Sequence, residues 1–501
     1  EVLLSAYDRL EKHFKKIGDL HHVEAITSWD ESAMMPSGGG EARAAAMTTL
    51  EVLIHELTTA PEVSDLIEAA SAEGLDPWQS ANLREIHRVF RDASCIPADL
   101  VEAQKLATSA SEQAWRLHRG NNDWSSMEPH LKEVVKLARQ EASVRSEATG
   151  LGLYDSLLDT YEPNVTSAEV SVIFDGLKDF LPDFVDAVVE RQKSSPPLAV
   201  SGDFAIPNQK TLGQEVMKSL GFDFDHGRLD ISHHPFCGGV PDDVRITTRY
   251  DEQNFISALM GVIHETGHAM YEQGLPASWR GQPVGQALSA GTHESQSLLM
   301  EMQACRTPEF FSYLAPRAQR IFLGRESNEP AWNADNLFAL YTEVKRSLIR
   351  VDADEVTYPL HVILRFEIEQ ALIEGNLEVA DLPDAWNDKL AKYLKLDTRG
   401  NFKDGCLQDV HWPAGLFGYF PTYTLGAMTA AQLFSAARRA ITDLHGQISR
   451  GEFAPLMGWL RINVHNKGKF ENYNDLMVSA TGRTLEVAPF REHLEARYLV
   501  S

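Results

Sequence analysis

A chain of 501 residues exceeds the roughly 250–300 at which a single hydrophobic core stops growing, so two lobes or one very large helical domain are expected. Its 43% hydrophobic and 9% aromatic content is that of a folded globular protein, and no window approaches the ~20 unbroken apolar residues of a membrane span. A net charge of −26 repels nucleic acid and anionic membrane alike, which removes both as expected partners.

The chain opens with EVLLSAYDRLEKHFKKIGDL, an amphipathic helix with charges throughout that lacks the apolar core and cleavage site of a signal peptide. It begins without a methionine, which leaves an upstream leader open. Helical segments follow to about residue 192. One is HLKEVVKLARQEASVRSEATG at 130–150, where Leu131, Val134, Val135 and Ala138 recur at helical spacing before a terminating glycine. SGGGEAR at 37–43 is glycine-rich, but no GK[ST] follows it and no strand precedes it. It reads as a turn rather than a phosphate loop. KSSPPLAVSGDF at 193–204 is the candidate linker, dividing a helical N-terminal part (about 1–200) from the remainder (201–501) within a single domain. Cys95, Cys237, Cys305 and Cys406 form no CxxC pair. They fit reduced thiols in a cytoplasmic protein.

GRLDIS (227–232) and DVRITTRY (243–250) alternate as strands, with HHPFCGGVPD supplying turn residues between them. They predict one small antiparallel sheet. Beyond residue 251 the pattern returns to helix, interrupted by Pro/Gly-rich stretches at 281–291, 328–335 and 405–418. No repeat or low-complexity tract is present. The fold class is therefore mostly α, with one small sheet just ahead of the next feature.

That feature is GVIHETGHAMYEQG at 261–274. Phe255, Leu259, Val262, Ile263 and Met270 follow helical spacing, Asp251 can cap the start, and Gly274 with Pro276 ends the helix. His264 and His268, at i and i+4, project from one side about a turn apart, where two imidazoles can share an ion. Glu265, rotated by one position, can face an activated water without entering the coordination sphere. With 18 histidines in the chain, a chance HExxH has odds of roughly one in twenty, so a third ligand is required. SAGTHESQSLLMEMQACR (289–306) supplies it. Thr292 is the expected cap of a second amphipathic helix and Glu294 lies in its first turn. Glu301, two turns further along, ranks below Glu294.

HETGH followed by HESQ resembles the zinc peptidases with a glutamate third ligand, and more narrowly the carboxypeptidase Taq family of metallocarboxypeptidases. The other stretches that carry the resemblance are HPF (234–236), DVRIT (243–247), IRVDAD (349–354) and GCLQDVHW (405–412), all in order. The resemblance implies a two-lobed helical peptidase with a long substrate groove, a homodimer, and single residues released from peptides with a free C-terminus. Residues and resemblance agree on the centre: His264, His268 and Glu294 hold one divalent metal, with zinc first and cobalt or manganese possible, and Glu265 is the general base and acid.

A terminal carboxylate calls for a guanidinium fork. Arg350 is chosen because the resemblance places its motif in the groove. Arg245 is the competitor, although Asp243, two positions away on the same strand face, can hold it in a structural pair. Tyr423 and His411 are the choices for oxyanion support, since related zinc peptidases use a Tyr and a His there; the ordinary alternative is a buried tyrosine with a satisfied hydroxyl. His234 lines the groove or supports the sheet, Gln408 and Asp409 order their loop, and Tyr271, Trp279 and Trp412 are core aromatics. The rival functions are an oligopeptidase or dipeptidyl carboxypeptidase built on the same site, and an inactive peptide-binding homologue.

Overall fold

The structure is a computed structural model that describes residues 4–499. Glu1, Val2 and Leu3, the start of the expected first helix, lie outside the described residues. Twenty-one α-helices and one three-stranded sheet make up the described residues, which is the mostly α class expected. No helix among them is long and apolar enough to cross a membrane.

Six helices matter for the site: α1 (Ala6–Ala33), α2 (Phe255–Gly274), α3 (Ala290–Leu298), α4 (Tyr358–Ile373), α5 (Pro421–Ala440) and α6 (Val487–Tyr498). α1 starts in a capping box, Ser5 and Asp8 each accepting the other's backbone N–H. Its Tyr7, Leu10, Phe14 and Ile17 form a small core with Val63, Leu66, Leu83 and Ile86. A far larger core runs from Trp124 to Tyr498. The helices between 124 and 192, grouped with the N-terminal part by sequence, thus share their core with the remainder (201–501). The stretch 193–204 passes without helix or strand between Leu181–Gln192 and Ile206–Leu220.

The sheet differs from expectation. Its strands are β1 (Gly227–Ile231), β2 (Phe236–Val240) and β3 (Asp243–Thr248), in the order β1-β3-β2. β3 pairs antiparallel with β2 and parallel with β1, so the sheet is mixed rather than antiparallel. The cause lies in the stretch taken for turn residues. FCGGV is itself a strand, and it joins β3 through a two-residue hairpin with Val240 opposite Asp243. With one edge of β3 occupied by its hairpin partner, β1 takes the other edge and runs parallel. Gly239, at φ +83°, permits the arrangement, because a Cβ there would meet the Asp243 carbonyl oxygen at 2.1 Å.

α2 lies between two apolar surfaces. Val262 and Ala269 pack on the sheet with Leu229, Val244 and Ile246, while Phe255, Leu259, Ile263 and Met270 enter the large core. Each such buried side chain contributes about 1.5–3 kcal/mol, and the two faces together fix the rotation of the helix that carries the histidines. Its cap is Asn254, whose side chain accepts the Ile256 and Ser257 N–H groups at 3.1 and 3.2 Å. Asp251 instead accepts from Gln253 one turn earlier. Likewise Ser289, not Thr292, caps α3 by accepting the Thr292 N–H at 3.0 Å; Thr292 is buried one turn inside.

Candidate metal centre and peptide cleft

α2 and α3 approach closely because a glycine stands at the crossing. A Cβ on Gly267, the glycine of HETGH, would lie 2.5 Å from the Gln296 carbonyl oxygen and 2.6 Å from the Ser297 Cα. From the other side Gly426 of α5 leaves room for Glu294, whose Cγ and Cβ a substituted Cβ would meet at 2.8 and 2.9 Å. Held between these two glycines, Glu294 reaches the histidines. Its Oε2 lies 3.8 Å from His264 Nε2 and 3.4 Å from His268 Nε2, and the three donor atoms lie within 4.8 Å of one another. Two imidazole nitrogens and a carboxylate oxygen converging within 4.8 Å of one another fit a divalent cation.

The opposite nitrogens of both imidazoles are held. His264 Nδ1 is 2.8 Å from Glu301 Oε2, and Glu301 Oε1 accepts from Arg306 at 2.8 Å. Glu301 is therefore the partner behind His264 rather than a rival third ligand. It lies on a π-helical stretch, Leu299–Ala304, that continues α3. His268 Nδ1 lies 2.6 Å from His293 Nδ1, whose Nε2 lies 2.7 Å from Glu272. Carboxylates thus back one imidazole directly and the other through an intervening ring, which points both Nε2 atoms at Glu294.

Burial and charge act against each other here. Burial alone would raise Glu294, but the imidazoles of His264 and His268 bring it down to about 2. Burial would lower His264, but Glu294 and Glu301 lift it to about 10. His268 is lowered to about 4 by burial and by the neighbouring rings. Glu265, 8% exposed, is raised to about 7, chiefly by burial, with Glu294 adding and His264 opposing.

Two cavities meet at this cluster. The larger, about 660 Å³, is lined by Glu265, His268, His293, Tyr161 and Lys469 among others; the smaller, about 260 Å³, by His264, Glu301, Leu298, Met302, Tyr358 and Phe490 of α6 among others. Glu294 and Tyr423 line both. Val351 and Ala353 bring the arginine motif to the smaller one.

Arg350 itself is 5% exposed. Its Nε and Nη2 donate to Asp409 Oδ1 at 3.1 and 2.9 Å, Nη1 donates to the Tyr358 hydroxyl at 2.5 Å, and its backbone N–H donates to Gln408 at 2.8 Å. Arg365 of α4, fully buried, donates Nε to the other oxygen of Asp409 at 2.7 Å. One carboxylate serves two guanidiniums, so a positive charge is left over. Arg365 is accordingly lowered to about 10 by burial and by Arg350, and the two arginines hold Asp409 well below the usual carboxylate range against its burial.

Arg245 lies elsewhere. Asp243 takes its Nε and Nη2 at 2.8 and 2.7 Å, and its guanidinium stacks 4.5 Å above Trp29 of α1. His234 is exposed, and only its neighbours Pro235, Phe236 and Cys237 line the larger cavity. His411 Nε2 lies 3.1 Å from the Tyr423 hydroxyl, and the His411 ring stacks on Phe420 at 4.3 Å. Burial lowers His411 to about 4, the Arg350 charge adding. Tyr271 and Trp412 are buried, and Trp279 stacks on Trp78 at 5.7 Å. His293, Glu272, Arg365 and Tyr358 were not singled out from sequence. His293 stands inside HESQ, so its place beside Glu294 was the available signal.

A profile of the carboxypeptidase Taq (M32) metallopeptidases matches residues 9–498. The chain belongs to this family. It is 38% identical to thermostable carboxypeptidase 1 of Thermus thermophilus, covering 99% of this chain and 98% of that one, and 34% identical to carboxypeptidase 1 of Bacillus subtilis, covering 97% and 98%. Among solved structures, Trypanosoma cruzi metallocarboxypeptidase 1 superposes with a TM-score of 0.96 at 42% identity over 99% of both chains. The Pyrococcus furiosus carboxypeptidase gives 0.93 at 30% identity over 100% of both. Membership of the carboxypeptidase Taq family makes the chain a metallocarboxypeptidase, and the His264, His268 and Glu294 cluster is compatible with the divalent metal that this class of peptidase implies.

Proposed function

We propose that the chain removes single residues from the free C-terminus of peptides. The observation that carries this reading is the uncompensated charge at Arg350, beside the smaller cavity and one tyrosine away from the metal-ligand cluster. A terminal carboxylate is the anion that the Arg350, Asp409 and Arg365 group lacks. The last residue then occupies the smaller cavity, the scissile bond faces Glu294 and Tyr423, and the rest of the peptide leaves through the larger cavity.

Zinc is the proposed ion, held by His264, His268 and Glu294, a donor set that also admits cobalt or manganese. When bound, it supplies Lewis acidity, polarising the scissile carbonyl and acidifying an adjacent water. Glu265, raised to about 7, is matched to taking the proton of the attacking water and returning it to the departing amine. Tyr423, its phenol raised by burial, keeps its proton and donates a hydrogen bond to the developing oxyanion. His411, held neutral, supports that hydroxyl from 3.1 Å.

Digestion of one peptide in free-acid and C-terminally amidated forms, followed by mass spectrometry, tests the proposal. Successive losses of single C-terminal residues from the free acid alone are expected. Internal fragments appearing equally from both forms would instead identify an oligopeptidase.

A further inference from the structure

The larger cavity, which Glu265, His268 and Glu294 also line, holds one cation that is unpaired among the described residues. Lys469 is the only lysine or arginine lining that cavity among the described residues. Its backbone is fixed: the N–H donates to the Val284 carbonyl at 2.8 Å, and the carbonyl accepts from Arg84 Nη2 at 2.5 Å. Its ammonium, by contrast, has no hydrogen bond or ion pair among the described residues.

The nearby carboxylates are already engaged. Glu85 takes Arg84 Nε at 2.8 Å and lies 3.9 Å from Arg88, Asp159 takes Arg88 Nη1 at 2.6 Å, and Asp92 takes Arg91 at 2.7 Å. Three carboxylates face three arginines, which leaves Lys469 as the surplus charge. Burial lowers its pKa, with Glu85 partly offsetting the effect. A partly desolvated ammonium without a partner is costly, and in a chain of net charge −26 an exposed acidic partner would be easy to supply. Lys469 lines the cavity through which the carboxypeptidase reading sends the upstream part of the peptide.

We infer that Lys469 is a specificity-determining residue whose ammonium pairs with an aspartate or glutamate side chain of the peptide on the amino-terminal side of the cleaved bond, making acidic peptides the preferred substrates. The inference rests on the carboxypeptidase reading, which sends the upstream part of the peptide through the larger cavity.

The test uses N-acetylated hexapeptides that share their last two residues, so that the cleaved bond and released amino acid stay constant. Each of the three preceding positions in turn carries Glu, Ala or Lys, and kcat/KM for release of the last residue is measured for the wild type, Lys469→Gln and Lys469→Glu. At one position the wild type should favour Glu over Ala by about fivefold, the scale of one partly screened ion pair, and Lys469→Glu should favour Lys instead. The ratio should fall to one in Lys469→Gln. In the wild type it should also fall as ionic strength rises from 0.05 to 0.5 M, a reading that does not depend on any variant folding. Release with equal rates for Glu, Ala and Lys at every position removes this inference alone. So does a Glu preference that survives in Lys469→Gln. No single-residue release from any peptide removes the carboxypeptidase reading and this inference with it.

Discussion

Glu162 is 1% exposed, and its carboxylate accepts the Gly291 N–H at the start of α3, the helix that carries Glu294. Burial lifts it from 4.5 to about 7, the bonds from Gly291 and Ser289 opposing. Below pH 4.5 the carboxyl is protonated in both folded and unfolded chains and contributes nothing. Between 4.5 and 7 the folded chain holds more protons than the unfolded one, so stability falls as pH rises through that window, and the whole penalty is present above 7. A shift of about 2.5 units at 1.36 kcal/mol each amounts to about 3 kcal/mol. Glu162→Gln keeps an acceptor oxygen for Gly291 and does not ionise. Because the shift is already net of the bonds from Gly291 and Ser289, the variant should be more stable than the wild type above pH 7 by about 3 kcal/mol. For a chain of this size, that amounts to about 3 °C in Tm. Calorimetric scans of both proteins at pH 5, 6, 7 and 8 read the difference, which should grow with pH in favour of the variant. A difference independent of pH, or one that grows toward acid, refutes the reasoning.

Four further outcomes follow from the site. Glu301→Gln removes the carboxylate behind His264 and should weaken metal binding by about 10–100-fold, measured by competition with a chelator. Asp409→Asn leaves Arg350 and Arg365 buried without their shared anion and should cost about 3–5 kcal/mol of stability in denaturant titrations, with a raised KM for free-acid peptides. Gly267→Ala drives a Cβ into the Gln296 carbonyl and should cost at least about 1–3 kcal/mol, loosening the metal cluster as seen in weaker metal retention. Glu265→Gln should reduce turnover by about 10²–10⁴ while elemental analysis finds the metal content unchanged.

The residues brought together at the candidate metal centre were legible wherever helical periodicity alone fixed their direction. The spacing of His264 and His268 sets their shared face whatever surrounds α2, and Glu294 needed only a Pro/Gly-rich return to the next helix; its expected place in the first turn moved to the second because Ser289, not Thr292, is the cap. What depended on packing between distant segments was hidden. The strand β2 carries Gly238 and Gly239 where a strand pattern would show alternation, so it read as turn, and the parallel pairing of β1 followed from that omission. Asp243, two residues away, foretold the pairing of Arg245, but Trp29, more than two hundred residues earlier, could not be foreseen. His293 is part of HESQ, yet its direction is set by the crossing of α2 and α3, which the one glycine of HETGH permits.

Charge across the cleft is distributed unevenly. Around the metal-ligand cluster Glu265, Glu272, Glu294 and Glu301 face the imidazoles of His264, His268 and His293 and the guanidinium of Arg306, an acid-rich group completed by a cation. Around the arginine motif, Asp409 is the one carboxylate among the described residues within ion-pair distance of Arg350 and Arg365, a group that an anion would complete. Tyr358 feels both groups, Arg350 lowering and Glu294 raising its phenol, and it lines the smaller cavity beside His264 and Glu294 while accepting from Arg350. On the proposed reading, a peptide with a free carboxylate has one orientation that satisfies both: the carboxylate beside Arg350 and the last peptide carbonyl beside the ligand cluster. Reversing the peptide puts an ammonium against two guanidiniums. Amidation removes the anion and, with it, the electrostatic reason to place the last bond rather than an internal one at Glu265. If Arg350 takes the carboxylate as proposed, exopeptidase selectivity needs no wall at the end of the groove, and neutralising Arg350 should release internal cleavage as well as slow the terminal one.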